Sequence, residues 1–417
     1  MREGNGGRWT SRRRWTRGGR NRSNGEIKTV AGKPEIEPFA IHVEDAVLED
    51  LKERLRRTRF PNPMKDTGWE VGTPVAYMKE LVDYWLNEYD WRKWEAELNR
   101  FDHFRTNVGS ERIHFIHEKG SGPNPMPLIL SHGWPGSVFE FSQMIEPLAH
   151  PERFGGKVED AFDVVVPSLP GYGFSSMPQK PTGPRATAAL WNELMTENLG
   201  YKKYAAQGGD WGAFITGWLG FNHGENVLGI HLNRIGPDTG PDVSDPPLSD
   251  EEKNWIEGVR KTRIDVAAYS HQHTTRPQSL AYGLNDSPAG LAAWIVEKYY
   301  AWSDIGGDLE SVYTKDQLLT AVTIYWVTGT IHSSIWFYRA VQLAGDRRLP
   351  AGRRVEVPTG FAFFPVDLQP QPPRSWWERA YNLTRWTDMK KGGHFAALEQ
   401  PEALTRDIRA FFRGLRG

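Results

Sequence analysis

Apolar and polar positions follow two different periods along this chain. From about residue 36 to 100, apolar residues recur at three- and four-residue spacing. "VEDAVLEDLKERLRRTRFP" (43–61) reads as an amphipathic helix ending before Pro61, and "PVAYMKELVDYWLNEYDWRKWEAELN" (74–99) continues the pattern. From 112 onward the period shortens. "RIHFIHEK" (112–119), "MPLILSHG" (126–133), "FDVVVPSLP" (162–170), "KYAAQGG" (203–209) and "LGIHLNRI" (228–235) are β-rich and mostly apolar on both faces. Helical stretches such as "EFSQMIEPLAH" and "TAALWNELMTENLG" lie between them. Strands alternating with helices predict an α/β fold with a mostly parallel sheet covered on both faces.

That alternation stops near 236. A Pro/Gly/Asp-rich stretch, "IGPDTGPDVSDPPLSDEE", leads into a helical block rich in Trp and Tyr that runs to about 345. Strand-like runs return in "RVEVPTGFAFF" (354–364) and "TRWTDMKKGG" (384–393), followed by a last helix, "QPEALTRDIRAFFRGL". Helices inserted late in an α/β sheet are most simply a lid over the carboxyl ends of the strands, where such folds bind ligands. The expected organisation is a tail (1–35), a helical segment (36–110), a sheet-bearing core (111–236), a helical cap (237–345) and the rest of the core (346–417).

Composition removes several classes of function. The 417 residues carry a net charge of -1, so neither nucleic acid nor an anionic membrane is expected as the main partner. With no cysteine there is no disulfide, no thiolate metal site and no Cys nucleophile, which fits a soluble protein of the reducing cytoplasm. No apolar run reaches the ~18 residues of a membrane-spanning helix. The first 30 residues hold nine Arg/Lys against two Glu and almost nothing to bury, which predicts a disordered tail. Its "SRRRWT" lacks the apolar stretch that an export signal requires.

The chemistry is concentrated in short turns. "AAQGGDWGAF" places Asp210 in a Gly-x-Asp-x-Gly pattern between a strand and a helix, the shape of a nucleophile elbow with a carboxylate in the serine's place. An aspartate here could also simply cap the helix. "ILSHGWPGS" ends a strand in His132-Gly133-Trp134-Pro135-Gly136, a loop of the kind that supplies an oxyanion-hole N–H. The backbone amides of Trp134 and Trp211 are the expected donors. Of twelve histidines, only His394 ("KKGGHFAALEQ") sits in a Gly-rich turn before the terminal helix. Asp367, in "FAFFPVDLQPQ", lies just past a strand and is the acid expected to reach it, with Glu356, Glu378 and Glu399 as competitors. The "HQH" at 271–273 lacks the spacing of a zinc motif, and no metal or organic cofactor is expected.

Taken together, "SHGWPGS", "GGDWG", "NDSPAGLAAWIVEKYYAWSD", "VPTGFAFFP" and "GGHFAALEQP" resemble the microsomal-type epoxide hydrolases of the α/β-hydrolase superfamily. The likeness runs from about 36 to the C-terminus and includes that family's helical N-terminal region. Where membrane-bound relatives carry an N-terminal anchor, this chain has a basic coil, so the resemblance implies a soluble form. It also implies two cap tyrosines that hold the epoxide oxygen, at Tyr269 ("AAYSHQH") and Tyr338 ("SSIWFYRAVQ"). Read from the residues alone these are core aromatics, with Tyr282, Tyr299, Tyr300 and Tyr325 nearby.

An aspartate nucleophile suits that chemistry. With an ordinary pKa of about 3.9 it is ionised at neutral pH and needs no base before attacking an epoxide carbon. The resulting ester can be cleaved by a His-activated water, whereas the ether a serine would form cannot. The expected substrate is a small apolar or aromatic epoxide, and a homodimer is compatible with the N-terminal segment. Two rival readings are a haloalkane or haloacid dehalogenase using the same Asp-His-Asp set, and a ligand-binding protein on the same scaffold without catalysis.

Overall fold

The computed structural model describes residues 35–238 and 247–416. The predicted basic tail falls outside the described residues. In chain order the elements are β1 (Ile36–Phe39), α1 (Asp45–Arg56), α2 (Val75–Asn87), α3 (Trp91–Leu98), β2 (His103–Val108), β3 (Glu111–Glu118), β4 (Met126–Ser131) and α4 (Ile145–Ala149). Then follow β5 (Phe162–Pro167), α5 (Pro184–Glu193), β6 (Tyr204–Gly208), α6 (Asp210–Asn222) and β7 (Val227–Leu232). A run of helices comes next: α7 (Asp250–Val266), α8 (Ala268–Thr275), α9 (Pro277–Asp286), α10 (Pro288–Trp302), α11 (Lys315–Thr328) and α12 (Ile331–Ala344). The chain closes with β8 (Val355–Phe363), α13 (Arg374–Ala380), β9 (Tyr381–Asp388), α14 (Ala396–Glu399) and α15 (Pro401–Arg413).

The strands form one sheet in the order β1-β2-β3-β5-β4-β6-β7-β8-β9. From β5 to β9 every pairing is parallel; β1, β2 and β3 join antiparallel. This is the α/β-hydrolase fold. Two sequence expectations are corrected here. The strand at 112–119 belongs to the antiparallel edge, and the 36–110 segment contributes two strands besides its helices. In β2, buried His103, Thr106 and Val108 alternate only loosely with solvent-side residues, so its six residues gave no clean period. The 74–99 pattern also splits, because Asp90 caps α3 by accepting from Arg92 N at 2.9 Å.

Side chains of the central strands divide between the two faces with period two. Leu128 and Leu130 of β4 face a cluster with Leu404, Ile408 and Phe412 of α15, while Ile129 faces Trp191 and Ala213 on the α5–α6 side. All of β5 is buried, as a strand covered on both faces requires.

The α7–α12 block is fastened over the carboxyl ends of the sheet by buried hydrogen bonds. Tyr325 Oη donates to Gly136 O beyond β4 (2.7 Å), and Tyr172 Oη, beyond β5, donates to Ser334 O on α12 (3.0 Å). The N-terminal segment braces the same block. Trp69 stacks on Tyr300 at 4.0 Å, and Arg54 pairs with Asp286 at 2.8 Å.

Candidate active site

Asp210 sits where β6 turns into α6, with a left-handed φ of 47°, one of two such non-glycine residues among those described. The turn is so sharp that its neighbours must lack side chains. A Cβ on Gly212 would come within 1.8 Å of Ser131 O, and one on Gly133 within 2.2 Å of Asp210 Oδ1. The carboxylate is therefore pressed against the β4 loop, and Trp134 N–H donates to Asp210 Oδ1 at 2.8 Å. Trp211 N–H opens the first turn of α6, where backbone donors have no helical acceptor.

His394 arrives on the turn after β9, its own N–H bonded to Trp302 O (3.0 Å) at the end of α10. Its Nδ1 lies 2.7 Å from Asp367 Oδ1, and its Nε2 lies 3.3 Å from Asp210 Oδ2, an ion-pair contact without the alignment of a hydrogen bond. Residues from three well-separated stretches thus meet in one line: Asp210, His394, Asp367. The competing acids are elsewhere. Glu356 and Glu378 pair with Arg354 and Arg374 near the surface, and Glu399 accepts from the backbone of Phe395 and Asp304.

Arg234, past the end of β7, joins this line although nothing in its surroundings in the sequence marks it. Its Nη1 donates to Asp367 Oδ1 at 3.1 Å, the same oxygen that holds His394. Two cations therefore share one carboxylate.

The charges decide the resting state. Burial works to raise the Asp210 carboxyl, but His394, Arg234 and the Trp134 N–H outweigh it and hold it below the ordinary carboxylate value. Asp367 is likewise held low, against burial, by Arg234 and His394. For His394 burial pulls down, yet Asp367 and Asp210 together push it up to about 9. The pair Asp210–His394 rests as carboxylate and imidazolium.

Tyr269 on α8 and Tyr338 on α12 are brought to the same place. Their rings lie 5.9 Å apart, Tyr269 stacks on Trp134 at 5.4 Å, and Tyr338 meets Trp211 edge-on at 4.9 Å. Tyr338 Oη is buried without a hydrogen-bond partner. Burial, with Asp210's charge adding, raises both phenols above their ordinary value, so both stay protonated. The alternatives are placed otherwise: Tyr282 is exposed, Tyr300 stacks on Trp69, Tyr299 packs on Phe395, and Tyr325 ties down Gly136.

His273, from the "HQH" stretch, is a buried neutral ring that accepts from Trp294 Nε1 at 3.2 Å. Among the described residues no group of three His, Asp or Glu side chains is arranged to hold a metal ion. Among them, too, no helix is long and apolar enough to cross a membrane.

Comparison with known proteins identifies the relatives of the chain and of its fold. Residues 36–141 match the family described as epoxide hydrolase N terminus, and residues 126–265 match the alpha/beta hydrolase fold. The chain is 36% identical to epoxide hydrolase 1 of Sus scrofa, over 93% of this chain and 90% of that one. The structure of Aspergillus niger epoxide hydrolase superposes with a TM-score of 0.79 at 34% identity, covering 92% of this chain and 97% of that one. Juvenile hormone epoxide hydrolase of the silkworm Bombyx mori gives a TM-score of 0.81 at 30% identity, over 92% and 95% of the two chains. Similarity this high along nearly the whole of each chain leaves one reading: this protein belongs to the epoxide hydrolase family of α/β-hydrolase-fold enzymes.

Proposed function

We propose that this chain hydrolyses an epoxide to a vicinal diol through an ester on Asp210, cleaved by water that His394 activates. The observation that carries the reading is the meeting of Asp210, His394 and Asp367 with Tyr269 and Tyr338, whose rings pack on Trp134 and Trp211 beside Asp210. In this reading a nucleophile, Asp210, and two acids, Tyr269 and Tyr338, act on the same three-membered ether ring. Nothing in a dehalogenase reading calls for that pair of acids.

Trp134 N–H engages Asp210 Oδ1, so Oδ2, whose one polar contact among the described residues is the ion pair with His394, is the oxygen that attacks an epoxide carbon. As the C–O bond of the ring breaks, Tyr269 and Tyr338 hydrogen-bond the emerging alkoxide and supply its proton. The product is a neutral ester. Its formation removes one of the two carboxylates that hold the proton of His394, so the imidazolium gives that proton up, restoring the phenol that protonated the alkoxide, and becomes the free base. Asp367 and Arg234 keep the ring oriented. His394 Nε2 then takes a proton from water, and the hydroxide attacks Cγ of Asp210. The charge gathers on Oδ1, against the amides of Trp134 and Trp211, each such donor contributing about 3 kcal/mol in comparable sites. Collapse breaks the bond from Cγ to the ester oxygen, the leaving alkoxide takes the proton from His394, and the Asp210 carboxylic acid passes its own proton to His394, restoring carboxylate and imidazolium. One water is consumed.

Aromatic rings of Trp134, Trp211, Phe337 and Trp302 around the two tyrosines support a small apolar or aromatic epoxide as substrate. The absence of cysteine supports a cytoplasmic setting. The α7–α12 block would act as the lid that presents the tyrosines.

The test is turnover of styrene oxide by the purified full chain, beside its Asp210→Ala variant. Diol formation abolished in the variant is expected, since no other group can form the ester. A variant with near-normal turnover would overturn the reading.

A further inference from the structure

A small cavity lies under the His132–Gly136 loop, on a side of Asp210 that neither Tyr269 nor Tyr338 lines. Asp210, His394, Glu140, Gln207 and Asn233 border it, and its volume of about 20 Å³ is room for a single water. Gln207 Oε1 is buried there without a hydrogen-bond partner, and His394 Nε2 has only its 3.3 Å ion-pair contact with Asp210 Oδ2. Buried polar atoms are normally satisfied, so an unpartnered amide oxygen beside a water-sized space bordered by Asp210 and His394 marks a polar site.

Glu140 is the third polar group, and it is held there by design of the loop. It lies in the 3₁₀ turn Val138–Phe141, and its carboxyl group occupies the space beside Gly136, where a Cβ would come within 2.4 Å of it. Among the described residues Glu140 makes no ion pair, which is costly for a carboxyl group set this close to Asp210. Burial, with Asp210's charge adding, pushes it up to about 8, against the pull of His394 and the Gly133 N–H. Besides these, the buried Tyr299, Tyr313 and Tyr325 hydroxyls on and beside α10 and α11 sense its charge.

We propose that Glu140 is a positioning residue for the hydrolytic half of the reaction, holding together with His394 the water that attacks the Asp210 ester. A water in this cavity meets Glu140 and the free-base Nε2 of His394 as acceptors for its two protons. Its lone pair is then left to face Cγ of Asp210. The attacking water would thus be stored on one side of Asp210 while the epoxide is opened on the other. A carboxyl group keeps an acceptor oxygen whether or not it is ionised, so Glu140 can hold the water in either state. The inference rests on the ester reading above.

The experiment is a single turnover of styrene oxide with enzyme in excess, quenched at intervals, with the adduct on the Asp210 peptide followed by mass spectrometry. Wild type, Glu140→Ala and Glu140→Gln are compared. The expected result is alkylation within about threefold of wild type in both variants, because Glu140 does not touch the epoxide. Ester hydrolysis should slow by about a hundredfold in Glu140→Ala, and Glu140→Gln, whose amide oxygen still accepts a proton, should recover about tenfold of that loss. Alkylation and hydrolysis falling together in Glu140→Gln would mark a merely structural role and overturn the proposal. Unchanged hydrolysis in either variant that folds would do the same. Should wild type itself form no adduct, the ester reading falls and this inference with it, an outcome distinct from an adduct that forms and clears normally.

Discussion

His394 bridges two carboxylates, with Nδ1 2.7 Å from Asp367 Oδ1 and Nε2 3.3 Å from Asp210 Oδ2. One contact orients the ring and the other points it at the group it must later relieve of an ester. Replacing His394 with Gln should leave ring opening in place, because Asp210 remains ionised, and should stop hydrolysis. The variant is expected to accumulate alkyl-enzyme, visible as a mass increase equal to that of the epoxide. A variant that turns over without any adduct would remove His394 from the role of base.

The same bridge makes stability depend on pH. His394 is raised from an ordinary value near 6.5 to about 9 in the folded chain. A cation whose folded value lies above its unfolded one contributes stability that is fully present below the unfolded value and is lost as pH rises through the folded one. The melting temperature of wild type is therefore expected to fall between pH 7 and pH 10 by several degrees more than that of His394→Gln. Parallel pH dependences in the two proteins would show that the ion pair does not hold the proton so tightly.

Tyr269 and Tyr338 divide one task, so losing either should cost less than losing both. Each Tyr→Phe change is expected to slow alkylation by roughly ten- to a hundredfold, and the double variant by at least a thousandfold, with hydrolysis of the ester little changed. Pre-steady-state quench measurements separate the two steps. Two fully active single variants would mean that other donors hold the epoxide oxygen.

The parts of this site that were legible in the sequence are local shapes. A strand, two glycines, Asp210 and another glycine describe a turn within nine residues, and the left-handed φ at Asp210 is what that turn demands. "KKGGHF" and "SHGWPG" are equally self-contained. Arg234 is different. Its meaning comes from Asp367, 133 residues later, and "LNRIGPD" holds no pattern that announces a cation at a triad. Glu140 was hidden for a similar reason, inside a stretch that reads as an ordinary amphipathic helix. The parallel strands were visible because burial on both faces makes them continuously apolar, as in "FDVVVP". The antiparallel edge was not, because β1 is four residues with a central Pro38, and β2 sits among helical repeats.

The measurement that bears most directly on the central claim is one turnover of styrene oxide in oxygen-18 water, with enzyme in excess, followed by mass spectrometry of the diol and of the Asp210 peptide. If Asp210 forms the ester, the first diol carries no label and the label is retained in the Asp210 carboxylate. Label found directly in the first diol, with an unlabelled Asp210, would contradict the account, because water would then have opened the epoxide itself.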